Sequence, residues 1–326
     1  MEIVILGSSG AIPVKNRNLS SFIIKYRSNL LLFDCGEDIQ RQFIKGGIKF
    51  NKPLEIFISH FHGDHIIGLP GLLFRFSLIA RTAPLTIFGR RNLFLYLLCH
   101  KKILGLKANY PIRIIEIDEE NDQLIIFEGL DSEEPKEIRP IENNIILDKK
   151  RYFLKYALMN HSVPTFGFAF TEKPRYGKFH PKKAKKLGIP EGPLWGTMQT
   201  GKKIEFHGKE IDPEEEGIVG PKRPGRKITY SADTAPCQSL IDLGKGSDLL
   251  IHEATYGMDH AEVAHEKLHS TSSDAARDAN KMNAKKLLLT HISSRYQENA
   301  DHLLEEAREI FPNTYLAKDL MRLKVK

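Results

Sequence analysis

The chain has 326 residues, 41% of them hydrophobic and 27% charged, with a formal net charge of +7. This is the composition of an ordinary soluble globular protein with enough residues to bury a large core. No apolar run reaches the roughly 18 residues of a membrane span, the first residues read as a strand rather than a secretory signal, and Cys35, Cys99 and Cys237 are too few and too scattered for a disulfide framework. A membrane partner is therefore not expected, and the free thiols suit a reducing cytoplasm.

Residues 2–6 read as a strand entering the glycine turn Gly7-Ser8-Ser9-Gly10, followed by the polar loop Pro13-Val14-Lys15-Asn16-Arg17-Asn18. Residues 22–26 and 29–33 suggest a hairpin ending at Asp34-Cys35-Gly36, and 37–46 a helix. The apolar run Leu54–Ile58 then leads into Ser59-His60-Phe61-His62-Gly63-Asp64-His65. Residues 66–80 fit an amphipathic helix interrupted by Pro70, 85–88 a strand, 90–104 a helix, and 112–128 two strands across 118–122. The acidic run continuing through Glu137 reads as a solvated face. Strands over 152–159, 166–170, 227–231, 248–251, 286–290 and 315–317 and helices over 272–282 and 300–311 complete the expectation, with Ser270 or Thr271 capping the helix at 272. Buried strands with helices between them describe an α/β layered fold.

Four metal-capable side chains within six residues, directly after a strand, are hard to explain as packing. Imidazole and carboxylate suit Zn²⁺. Further strands deliver His161, Asp233 and His291 at their carboxyl ends, where sites gather in α/β folds. A first metal would take His60, His62 and His161, and a second Asp64, His65 and His291, with Asp233 between them. Two such metals clamp both the attacking and the leaving oxygen of a phosphodiester.

Charge is concentrated as well. Residues 172–203 hold nine Lys/Arg against two acids, while the rest of the chain balances at 39 of each sign. The segment has four Pro and five Gly, and carries Tyr176, Phe179 and the only tryptophan, Trp195. It reads as an inserted, protruding arm that cannot bury a core of its own and grips a polyanion, with 182–187 ordered as a short helix.

His60-Phe61-His62-Gly63-Asp64-His65 with the distant His161, Asp233 and His291 resembles the metallo-β-lactamase superfamily, and several motifs resemble its ribonuclease Z branch, the endonucleases that mature tRNA 3′ ends. These are Pro13–Asn18 (PxKxRN), the Gly-Pro-rich arm base Gly188–Gly201, His252-Glu253-Ala254-Thr255 (HEAT), His269-Ser270-Thr271 (HST) and Leu289–Tyr296. Ala232 departs from the family, which usually has glycine before the aspartate.

The resemblance implies one four-layered αββα domain over 1–326 with the arm inserted, two divalent metals per subunit, most simply Zn²⁺, and a homodimer cleaving precursor tRNA after the discriminator nucleotide. It implies that Asp64 holds the attacking water and takes its proton, and that His269 donates a proton to the leaving oxygen, with Glu253 as a candidate to orient it. Lys15, Arg17, Asn18 and Thr271 would lie against the RNA end, and Lys182, Lys183, Lys185 and Lys186 against the tRNA body. A general dinuclear phosphodiesterase or arylsulfatase-like hydrolase of the same fold, or an RNA-binding protein without activity, are the rival readings.

Overall fold

The structure, a computed structural model, describes residues 1–325. Its strands are β1 (Glu2–Gly7), β2 (Ser21–Tyr26), β3 (Asn29–Phe33), β4 (Leu54–Phe57), β5 (Leu85–Arg90), β6 (Ile112–Asp118), β7 (Gln123–Glu128), β8 (Glu137–Pro140), β9 (Ile145–Asp148), β10 (Tyr152–Leu158) and β11 (Phe166–Glu172), followed by the short hairpin β12 (Ile204–Phe206) and β13 (Lys209–Ile211), then β14 (Lys227–Tyr230), β15 (Leu249–Glu253), β16 (Leu287–Thr290), β17 (Thr314–Leu316) and β18 (Arg322–Lys324). A nine-stranded sheet runs β18-β1-β2-β3-β4-β5-β6-β7-β8, and a seven-stranded sheet runs β17-β16-β15-β14-β11-β10-β9. Strands β3 to β6 are parallel, as are β14 to β17.

Period-two alternation along the strands sorts their side chains onto two faces. On the first sheet Val4, Leu6, Ile23, Leu32, Ile56 and Ile87 share a buried cluster with Phe43, Leu72, Phe76 and Leu97. Those last four come from helices α1 (Ile39–Lys45), α3 (Gly68–Leu78) and α4 (Leu93–Leu104), while the single turn α2 (Gly63–Ile66) precedes α3. Phe33 faces the other way. It stacks on Phe22 at 4.7 Å and on Phe57 at 5.1 Å, and meets Phe168 and Tyr230 of the second sheet at 5.9 and 6.2 Å. Helix, sheet, sheet and helix follow one another, as the αββα expectation requires.

Residues 149–153 and 171–226 form a second compact unit, wider than the 172–203 expected. It contains α5 (Pro181–Lys186) and α6 (Pro193–Gln199). Here the sequence expectation fails: Ala184, Ile189, Met198, Ile204 and Ile218 form a buried cluster, with Phe179, Leu194, Trp195, Phe206 and Ile211 against it. Four of those ten apolar residues lie beyond 203, so a boundary drawn on charge cut the core in two. On the outer face of the second sheet, Leu240, Ala275, Ala279 and Leu303 pack with Leu250, Leu287 and Leu289, from α7 (Gln238–Gly244), α8 (Ser272–Lys281) and α9 (Asp301–Ile310).

Other departures are local. The helix break falls at Ile67, and Pro70 sits in the first turn of α3, where its missing N–H costs nothing. Part of the acidic run pairs with β7 as the exposed strand β8. The last strand is β18, which pairs with β1, Glu2 against Lys324; three residues with one apolar member give no strand signal.

Candidate active site

β4 ends at Phe57, and the loop after it carries His60 and His62 into α2, whose single turn holds Asp64 and His65. His161 follows β10, Asp233 follows β14 and His291 follows β16, so all seven sequence-predicted ligands converge. Their donor atoms form two groups, His60, His62, His161 and Asp233, and Asp64, His65 and His291, each with its donor atoms within 4.8 Å of one another. Asp233 Oδ2 stands between them, 3.7 Å from His60 Nε2, 3.4 Å from His65 Nε2 and 3.3 Å from His291 Nε2. His62 presents Nδ1, 3.1 Å from His60 Nε2 and 3.3 Å from His161 Nε2. Ala232 lies in the left-handed region at φ 54°, a strain of about 1 kcal/mol that glycine would not carry, and Asp233 is nonetheless in place.

Proton bookkeeping tests whether cations fit. Asp34, buried at the end of β3, accepts from His65 Nδ1 at 2.9 Å and from the Ser59 hydroxyl at 3.0 Å. With its proton given to Asp34, Ser59 Oγ accepts from His60 Nδ1 at 2.9 Å. His161 Nδ1 donates to the Leu268 carbonyl at 3.0 Å. Thr255 Oγ1 donates to Glu253 Oε2 and so accepts from His291 Nδ1 at 2.8 Å. All four rings therefore hold their proton on Nδ1 and turn a bare Nε2 inward. His65 Nε2 and His291 Nε2 face each other at 3.3 Å, beside the carboxylates, and buried Asp233 Oδ1 has no hydrogen-bond partner among the described residues. Lone pairs so arranged repel unless cations lie among them, and three or four N/O donors per group suit divalent metal of the Zn²⁺ type.

A family model described as anti-Pycsar protein Apyc1 matches residues 1–106, less than half of the chain. Among curated relatives, a ribonuclease Z of Methanosarcina mazei is 35% identical over 325 residues, covering 100% of this chain and 98% of its own. The chain belongs to the ribonuclease Z family. Among solved structures, the short form of human tRNase Z is 26% identical, with both chains covered in full and a TM-score of 0.66. A metallo-β-lactamase fold protein of Bacillus subtilis, 19% identical with a TM-score of 0.64 over 99% of this chain and 98% of that one, shares the fold. The chain is accordingly an endoribonuclease built on that fold.

The further motifs of ribonuclease Z settle around the same cluster. His269 Nδ1 lies 2.9 Å from Glu253 Oε1, and its ring centroid is 4.9 Å from that of His161. Burial disfavours its charged form, but the Glu253 carboxylate outweighs burial and raises its pKa to about 9. Glu253 is itself buried, which opposes ionisation, yet His269 draws its pKa down. The carboxylate also accepts the Thr234 N–H at 2.7 Å. Asp64 Oδ2 accepts the Ala11 N–H at 2.8 Å. Burial opposes its charge too, but His65 and His291 hold it well below the usual carboxylate range, which makes it a ligand more readily than a base. Gly10 closes the cluster from the other side: a Cβ there would stand 2.4 Å from His291 Cε1.

Thr271 needs correction. It is fully buried, its hydroxyl and N–H tied to Asp274 in a capping box on α8, so it offers RNA no surface. Lys15 is exposed, whereas Arg17 and Asn18 are half-buried and bonded to the fold. Lys182, Lys183, Lys185 and Lys186 are exposed on α5 of the second unit. Asp34 and Thr255 were given no role from the sequence. The available signal was a carboxylate at the end of a buried strand in a fold whose other strand ends carry ligands.

Proposed function

We propose that the chain removes the 3′ trailer from precursor tRNA, cutting after the discriminator nucleotide and leaving a 3′-hydroxyl on the tRNA. The observation that carries this is the adjacency of two His/Asp donor groups to a His269–Glu253 pair, in a chain of the ribonuclease Z family. His60, His62, His161 and Asp233 would hold one divalent ion, and Asp64, His65 and His291, with Asp233 shared, the other. Zn²⁺ is the ion the imidazole-rich set favours. Bound metal supplies an acidified water and a Lewis acid for the phosphoryl oxygens.

The chain's own part is positional and acid–base. Asp64 orients the attacking water and accepts its proton only weakly. His269, its Nδ1–H committed to Glu253, gives the proton on its other nitrogen to the departing 3′ oxygen as the P–O3′ bond breaks. Lys15, Arg17 and Asn18 meet the RNA near the cut. Lys182, Lys183, Lys185 and Lys186 meet phosphates of the tRNA body, the second unit serving as an exosite inserted in a single catalytic domain.

The protein works as a homodimer in the cytoplasm. Support for a covered face comes from Leu78 at the end of α3, 86% exposed, and Ile103 and Leu104 at the end of α4, 79% and 61% exposed. No helix among the described residues is long and apolar enough to cross a membrane, and the three cysteines are free.

The test is cleavage of an end-labelled precursor tRNA with and without chelator, with the ends mapped. A chelator-sensitive cut after the discriminator supports the reading. Hydrolysis of a small phosphodiester without that cut would instead assign a general hydrolase of the same fold.

A further inference from the structure

The loop at 13–18 is short, polar and tightly turned. Val14 and Arg17 exchange both backbone hydrogen bonds, at 2.9 and 3.2 Å, which leaves Lys15 and Asn16 at the tip. Backbone ties the base of this turn to the neighbouring glycine turn, Ser8 and Ser9 N–H both donating to Asn18 O at 2.9 and 2.8 Å, while its side chains are held from the far end of the chain. Asp319 Oδ2 accepts three donors: the Asn18 N–H at 2.8 Å, the Asn18 side-chain amide at 2.9 Å and the Gln42 amide of α1 at 2.8 Å. Its Oδ1 accepts the Ser8 hydroxyl at 2.9 Å. Ser8 Oγ in turn accepts Arg17 Nη1 at 2.9 Å, and the same nitrogen reaches the Ala317 carbonyl at 2.7 Å. Arg17 is thus anchored through one nitrogen, with Nε and Nη2 uncommitted among the described residues.

Asp319 is itself held by backbone. The Leu320 N–H donates to Ile5 O at 2.8 Å, and Ile5 N–H donates to Met321 O at 3.0 Å, so the pairing of β18 with β1 sets its place beside Ser8. The glycine turn that touches the metal ligands has separate backbone supports, Gly10 N–H to Ile292 O at 3.0 Å and Ile292 N–H to Ser8 O at 2.9 Å. The two halves of the loop meet at Ser8, with the Arg17 and Asn18 side chains braced by Asp319 and the Ser8–Gly10 backbone by the strand that delivers His291.

We infer that Asp319 is a positioning residue for RNA: it fixes Arg17 and Asn18 before substrate arrives, so that binding the RNA end orders nothing further. A charged acceptor shared by several donors suits that work, because each charge-assisted bond is stronger than a neutral one and the geometry is set in advance. Asparagine would keep the shape and turn an NH₂ toward donors. This inference rests on the reading that the 13–18 loop contacts RNA.

The experiment uses the full-length, metal-loaded enzyme as wild type, Asp319→Asn, Arg17→Ala and the double variant, with steady-state kinetics on precursor tRNA and on bis(p-nitrophenyl) phosphate. Arg17→Ala and Asp319→Asn should each raise the tRNA KM by about tenfold, and the double variant should be no worse than the poorer single, since both remove the same contact. Hydrolysis of the small ester by Asp319→Asn should stay within about twofold of wild type, and trypsin should nick that variant faster after Lys15 or Arg17. An unchanged tRNA KM in Asp319→Asn, with Arg17→Ala impaired, would overturn the role of Asp319 alone. Multiplying effects in the double variant would also overturn it, as would equal loss of both activities, which would make Asp319 a folding residue. If Arg17→Ala leaves the tRNA KM unchanged, the RNA-contact reading of the loop fails, and the inference with it.

Discussion

Every histidine of the cluster except His62 is committed at its second ring nitrogen, and two buried carboxylates do most of the committing. Asp34 governs His65 directly and His60 through Ser59; Glu253 governs His269 directly and His291 through Thr255. The Thr255 hydroxyl has one proton, so its bond to Glu253 dictates that His291 carries its proton on Nδ1. Thr255→Val keeps the shape and removes that dictation. It should weaken metal at the Asp64–His65–His291 group by about 10- to 100-fold, with Thr255→Ser restoring it, as read by competitive chelator titration. Equal metal affinity in all three proteins would refute the link. His269→Ala should lower turnover by about 10²- to 10⁴-fold while bound metal stays at the wild-type level, measured by elemental analysis beside the kinetics. Loss of metal in step with turnover would make His269 a ligand instead of a proton donor.

Secondary elements contribute by the exactness of their ends. β4, β14 and β16 are largely buried and β10 alternates buried with half-buried positions, and each stops where the chemistry starts, which is why sequence periodicity finds them and the ligands beyond them. The segment before α8 shows the opposite case. His269, Ser270 and Thr271 look alike as polar residues, yet Thr271 is spent on the helix cap and only His269 reaches the site. α8 also meets β15 through a buried ion pair, His252 Nε2 to Asp278 Oδ2 at 3.6 Å. Burial works against the charge on His252, but Asp278 prevails and raises its pKa above the ordinary value. A histidine raised in the folded state contributes stability below its unfolded pKa and loses that contribution as pH rises through its folded pKa. Asp278→Asn should therefore cost more thermal stability at pH 6 than at pH 9, by melting temperatures at matched ionic strength. A gap independent of pH would mean the pair is neutral.

At the scale of the whole molecule, the lysines of α5 define the charge test. Replacing Lys182, Lys183, Lys185 and Lys186 by Ala should raise the tRNA KM and reduce the log–log salt slope of tRNA binding by about 3, from roughly 0.7–0.9 per phosphate contact. An unchanged slope would remove these lysines from the interface. Substitution is a better test than excising 174–198, because excision would strip Ile189 and Met198 from a core that also needs Ile204 and Ile218. While His269 was singled out by the family resemblance alone, the amino-acid sequence by itself determined the layered fold, the seven convergent donors and the basic segment. Each of these is written locally, as an apolar run, a residue type at a strand end or a density of charge. Only the tertiary structure decided which ring nitrogens carry protons, that Thr271 is buried, that the basic segment has a core, and that Asp319 braces a turn begun some 300 residues earlier. Those properties belong to pairs of residues far apart in the chain, and hydrogen bonds between them leave no periodicity for a sequence to display.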